Sequence, residues 1–317
     1  MDSEDEGVAT VSCAGGLRVQ FTKEIQRTTV QGSLLTLKVE GLLGGHSGQD
    51  IDKERQNADL LMARMIQRLL KETKGQLVSF NGGTKDNAIP RECEASLIYE
   101  SDEEAAKAEE LACELAETYA EELTPAEPDF SCEISCETNR TAEAIPQDAA
   151  KEFICAMRLA PNGIQKRNIK MDGFVVVSLN LGVVRTEEDR IVMIFSPRSS
   201  VASLQEDTKE RLNTLAETFG FTVSHSSEYP GWSFKEDSPV REICKESYKE
   251  LFGEDLKIEA IHAGLECGLF SDAIKGLDAI AIGPTIANCH TPDEYLTLDS
   301  FERFYEFLKD ILSRLAK

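Results

Sequence analysis

Positive charge is scarce in this sequence: Lys and Arg number 34 against 57 Asp and Glu, a net charge of −23 with an isoelectric point near 4.6. That balance excludes a nucleic-acid or anionic-membrane surface, because phosphate binding depends on Lys and Arg neutralising backbone charge. No run of about 18 or more apolar residues occurs, so no transmembrane helix is expected. The acidic start, Met-Asp-Ser-Glu-Asp-Glu-Gly, lacks the basic and then apolar pattern of a signal peptide, and a cytoplasmic location is the expectation. No Cys-x-x-Cys pair appears among nine cysteines, an odd number in a long chain, which points to reduced core thiols rather than a disulfide framework. Cys267 and Cys289 sit beside polar motifs, but a small buried hydrophobe is the plainer reading of both.

What is present is the composition of a globular protein. Hydrophobic residues make up 41% and charged residues 29% of 317 positions, enough for a real core and more than one domain. Residues 7–16 alternate small and apolar side chains as a buried strand does, ending in Gly15-Gly16, read as a turn. From residue 33 the patterns run strand, glycine-rich loop, helix (55–74), strand, strand, helix (103–122). A second run follows: strand (130–137), helix, strand (173–180), strand (190–197), helix and strand (221–226). Two tandem ferredoxin-like units over 21–230, divided near 125, are the economical architecture. After Tyr229-Pro230-Gly231-Trp232 strands and helices alternate, as in a mainly parallel sheet. The fold class is therefore α/β, with a domain of residues 1–20 and 231–317 interrupted by the 21–230 insertion.

Histidine occurs only four times, so each can be weighed. His290 lies in a polar loop after a strand and before the last helix, the edge of an α/β sheet where ligands bind, and could be a metal ligand or an ordinary loop residue. His46, in Gly-Gly-His-Ser-Gly-Gln-Asp at 44–50, has flanking glycines that let the backbone approach a ligand, and its ring could donate to an oxyanion. His262 opens a strand-to-helix turn whose backbone at Ala263, Gly264 and Leu265 is a better candidate than its imidazole. His225 reads as structural. Arg198, at a strand end, could clamp a carboxylate or form a surface salt bridge. Asn87 could bind polar substrate atoms or cap its own turn. Asp2, in an acidic cluster, is either a solvated side chain or a hard oxygen ligand for a divalent metal.

In this order, Asp-Ser-Glu-Asp-Glu-Gly at 2–7, the 44–50 motif, Asn-Ala-Ile-Pro at 87–90, Arg-Ser-Ser at 198–200, His-Ala-Gly-Leu-Glu-Cys-Gly at 262–268 and His-Thr-Pro at 290–292 resemble the aminoacyl-histidine dipeptidases. These Xaa-His dipeptidases (peptidase D) belong to the dinuclear zinc peptidase family with carnosinases and peptidase T. The resemblance implies metal-dependent hydrolysis of Xaa-His dipeptides by water activated between two divalent ions, zinc, or manganese or cobalt in its place. It implies Asp2 on one metal and His290 on the other, His46 as the oxyanion donor, Asn87 and Arg198 on the substrate, and the 263–265 turn lining the pocket for its C-terminus. It gives the 21–230 insertion the part of a lid and is compatible with a homodimer. Family members carry, before the Asp2 motif, a His-x-Asp segment, a bridging Asp and a Glu-Glu pair; these motifs do not occur here, so a partial catalytic domain lacking base and bridge is expected. The alternative is a catalytically inactive fragment serving as a folded lid, oligomerisation or ligand-binding module. A general aminoacylase or carboxypeptidase shares the chemistry but is expected to have a single-unit lid.

Overall fold

The computed structural model describes residues 3–169, 173–288 and 292–316. The chain opens with two strands separated by one residue, β1 (Val8–Cys13) and β2 (Gly15–Glu24). The Gly-Gly turn expected from the sequence is instead the start of β2. Both glycines answer a close approach: a Cβ at Gly15 would lie 2.4 Å from the Gly231 nitrogen, and one at Gly16 would lie 2.6 Å from the Tyr229 hydroxyl. A demand of that kind comes from a segment more than 200 residues away and leaves no local trace.

Next come β3 (Thr28–Glu40), β4 (Gly45–His46), α1 (Ala58–Glu72), β5 (Gln76–Gly82), β6 (Ala88–Ile89), β7 (Cys93–Tyr99), α2 (Asp102–Leu123) and β8 (Ser131–Ala144). The Asn57 side chain caps α1, accepting from the Asp59 and Leu60 nitrogens, and Leu61, Met62, Met65, Ile66 and Leu69 form its buried face at helical spacing. Ser101 caps α2, whose buried stripe is mostly alanine, allowing it to lie close on the sheet. The strands pair antiparallel in the order β5-β7-β3-β8.

The chain continues through α3 (Gln147–Leu159), β9 (Gly163–Asn168), β10 (Phe174–Thr186), β11 (Arg190–Ser199), α4 (Ala202–Thr218) and β12 (Thr222–Tyr229). Here the order is β12-β2-β11-β10, with β9 beside β10, and a single β5–β10 pairing, Gly82 with Val184, joins both sets into one sheet. The division near residue 125 is therefore corrected. β8, expected to open the second repeat, closes the first set against β3, and the first strand of the second set is β2. The first set is nested between β2 and α3 rather than followed in tandem. Alternation along β8 shows a strand with two unlike faces, but not which neighbour it pairs with. One core of Phe21, Leu35, Met65, Phe80, Phe153 and Phe195, among others, runs through both sets.

The remainder is α5 (Pro239–Phe252), β13 (Lys257–Ile261), α6 (Glu266–Ala273), β14 (Ala281–Ile282), the β15–β16 pair (Ile286–Ala287 and Tyr295–Leu296) and α7 (Leu298–Leu315). The sheet order is β13-β1-β14, β1 running parallel to β13 and antiparallel to β14. The described sheet is thus mixed, not mainly parallel. α5 starts at Ser238-Pro239 and stops at Gly253, whose φ of 73° suits a residue without Cβ. It packs on α7 through the Tyr248–Phe307 edge contact and a 2.6 Å Ser247–Asp310 hydrogen bond. Paired backbone bonds between Cys13 and Trp232 connect β1 to the segment after β12. The described cysteines form no disulfide.

Candidate active site

Arg198 lies directly opposite Ser178 in the β10–β11 ladder, so their side chains share a face. It is buried. Its Nη1 donates to the Tyr229 hydroxyl at 2.9 Å, while its Nε is buried with no partner among the described residues. The guanidinium therefore rests on a phenol rather than a carboxylate, leaving donors for an anion that is not part of the fold. Tyr229 also sits against the 262–265 turn, since a Cβ at Gly264 would lie 2.8 Å from its ring. Through this one side chain the end of β12 brings Arg198 and the turn together.

His262 ends that approach from the other side. Its Nε2 is 2.7 Å from Ser178 Oγ and its ring stands edge-on to Phe174. Burial, then the neighbouring Arg198 charge, pushes its pKa down to about 3, with the Val175 backbone opposing and His46 adding to the fall. The imidazole is a neutral packing and hydrogen-bonding group, where the sequence favoured only the backbone after it. Within the turn, the Ala263 carbonyl accepts from Ala14 N and Leu265 stands at the N-terminus of α6.

His46 is held by its own loop. Its Nδ1 accepts from the backbone of Gln49 at 3.0 Å and Gly48 at 3.3 Å, while the His46 backbone N–H donates to Asp50 Oδ2 at 2.8 Å. With Nδ1 occupied as an acceptor, the proton of the neutral ring sits on Nε2, the nitrogen left to serve a ligand. Burial first, then Arg198, lowers the His46 pKa, and Asp50 pulls the other way. Asp50 is itself kept ionised by Lys53 above all, with burial opposing. The loop lies on the turn: a Cβ at Gly48 would meet the His262 carbonyl at 2.3 Å. The flanking glycines were read as room for a ligand; the approach that Gly48 permits here is to the chain's own 262–265 turn. Asn87 stands beside His46 through its backbone, its carbonyl accepting from Ser47 N at 2.9 Å, with its residue exposed.

The structure thus gathers His46, Arg198, the 263–265 turn and, in the turn just before β6, Asn87. A cleft of about 640 Å³ opens beside them, lined by Gly48, Gln49, Phe174, Val175, Phe234 and His262 among others. Asp2 and His290, the two expected metal ligands, lie outside the described residues. Among the described residues no three His, Cys, Asp or Glu side chains converge as a metal site would need, so these alone do not fit the metal pair. Ser178 and Tyr229 were missed in the sequence: a serine inside a buried strand run carries no signal, and Tyr229 read as part of a domain boundary.

A family model described as peptidase family M20/M25/M40 matches residues 37–314. A cytosol non-specific dipeptidase of Escherichia coli (strain K12) is 32% identical over 320 residues, covering 99% of this chain and 65% of that protein. The crystal structure of an aminoacylhistidine dipeptidase from Vibrio alginolyticus superposes with a TM-score of 0.93 at 33% identity, covering 98% of this chain and 64% of that one. The chain therefore spans somewhat less than two thirds of the length of these relatives. By the extent of the family match, the chain belongs to peptidase family M20/M25/M40.

Proposed function

We propose that this chain holds a dipeptide by its terminal carboxylate within a metal-dependent dipeptidase that acts on Xaa-His substrates. The observation that carries the reading is the buried Arg198 with an unengaged Nε, a fork suited to a carboxylate and costly to leave unpaired. His46 presents Nε2–H on the same side and supports the oxyanion that forms when the peptide carbonyl is attacked. The 263–265 turn closes the carboxylate end through Tyr229, and Asn87 contacts the substrate from the turn before β6. The two four-stranded sets are read as ferredoxin-like units forming the lid. The metal-activated water, on zinc or alternatively manganese or cobalt, belongs to a ligand set that the resemblance extends to Asp2 and His290. Xaa-His preference draws on the relative from Vibrio alginolyticus being an aminoacylhistidine dipeptidase, whereas the Escherichia coli relative is called non-specific. A cytoplasmic location and a homodimer complete the proposal. The first rests on the acidic charge and on the relative named for the cytosol; among the described residues no helix is long and apolar enough to cross a membrane.

The test is a calorimetric titration of the full chain with β-alanyl-histidine and with its C-terminal amide. The amide is expected to bind at least about tenfold more weakly, roughly 1.4 kcal/mol, and Arg198→Met to erase the difference. Equal binding of acid and amide by the unmodified chain would sink the carboxylate assignment. Turnover with added zinc, manganese or cobalt separates the enzyme from the alternative of a ligand-binding module: binding without hydrolysis favours the module.

A further inference from the structure

We infer that Asn180 is a positioning residue for His46, acting through the Ala88 carbonyl. The inference rests on the proposed role of His46 as oxyanion donor. His46 stands on a ladder of only two residue pairs, Gly45 with Ile89 and His46 with Ala88. A ladder that short does not persist in water by itself, so its place must be set from outside. Arg55 and Arg91 donate to the Gly44 and Leu42 carbonyls and secure the base of the loop. Asn180, on β10, reaches the strand opposite His46: its Nδ2 donates to Ala88 O at 2.8 Å, with the Asp86 carbonyl further off at 3.4 Å.

The orientation of that amide is fixed by a second one. Asn57 Oδ1 accepts from the Asp59 and Leu60 nitrogens as the α1 cap, which turns Asn57 Nδ2 toward Leu181 O at 2.8 Å and Asn180 Oδ1 at 3.4 Å. An Asn180 whose oxygen faces Asn57 must direct its NH2 at Ala88. Both asparagines are almost fully buried, so neither bond has water as a substitute. Ser178, two residues earlier and therefore on the same face of β10, holds His262, and Arg198 lies opposite Ser178. One strand thus spaces the His46 ladder, His262 and the arginine, and Asn180 is a contact of that strand with the ladder.

The experiment uses the full chain and its Asn180→Ala variant, with histidine ring titration and amide exchange followed by nuclear magnetic resonance. Loss of the anchor is expected to speed exchange at the His46 and Ser47 amides about tenfold, the effect of one buried hydrogen bond. The His46 pKa is expected to climb toward its ordinary value as the ring leaves its half-buried place near Arg198, with Asp50 and His262 the other ionisable groups facing it. The acid-over-amide preference set by Arg198 is expected to stay. Should Asn180→Ala fail to fold, Asn57→Ser keeps a hydroxyl cap on α1 while removing the amide that orients Asn180, and a smaller shift in the same direction is expected. Unchanged His46 exchange and titration in a folded variant would overturn the inference, as would loss of acid-over-amide preference without any change at His46. Failure of the carboxylate reading shows separately, as equal binding of acid and amide by the unmodified chain.

Discussion

A guanidinium beside an imidazole opposes its protonation, and that coupling makes Arg198 and His46 readable through each other. His46 is lowered first by burial and second by Arg198. Removing the positive charge stabilises the imidazolium, so the His46 pKa is expected to rise in Arg198→Met but to remain below its ordinary value, because burial persists. Proton resonance titration of the ring in the two proteins checks this, and an unmoved curve would show that the arginine charge is not felt there. In the sequence, the glycines on both sides of His46 mark a close approach without naming the His262 carbonyl as the neighbour, and Arg198 is marked by ending a strand beside serines. Neither Ser178 nor Tyr229 was legible. Tyr229 matters for the three segments that meet on its ring and hydroxyl, and such a meeting is a property of the folded chain.

At the scale of one element, α1 carries an internal conflict. Asp59 lies in its first turn, where a carboxylate favours the helix dipole, yet it is fully buried against Gly82 and the Cys93 thiol. Burial pushes its pKa up to about 8, with Cys93 and then Arg185 pulling back only in part. The folded chain therefore keeps a proton that the unfolded chain releases above about pH 4. Stability from this group is full below that point, falls as pH rises toward 8 and is level beyond, with a slope of at most about 1.4 kcal/mol per pH unit. Asp59→Asn is expected to flatten the decline, seen as a smaller change in urea midpoint between pH 5 and pH 8 than in the parent. Equal changes in both proteins would mean that Asp59 holds no proton in the fold. α1 itself was legible from its apolar spacing, within a few residues at either end. β2 was not, because Gly15 and Gly16 are spelled like a turn and are used as a strand.

For the whole molecule, the two largest hydrophobic cores are unequal. The large one spans both strand sets and the four helices α1 to α4. The smaller draws on Ala9, Cys244, Tyr248, Leu256, Phe304 and Phe307 among a few others, beneath a three-stranded sheet. Helix α6 beside it exposes Leu269 and Phe270, and β13 is an edge strand with no fully buried residue. Apolar burial scales with protection against opening, so the part built on β1, β13 and β14 should open without the rest. Hydrogen exchange followed by mass spectrometry is expected to show β13 and α6 losing protection at least about tenfold sooner than β3, β7 and β10. The Cys13–Trp232 backbone pair lies at the boundary, and its amides are expected to exchange at an intermediate rate. Loss of protection in β13 and β10 at one common rate would show that the small core is locked to the large one. In that case the 263–265 turn, which follows β13, would be held as rigidly as Arg198, and substrate grip would not depend on local opening.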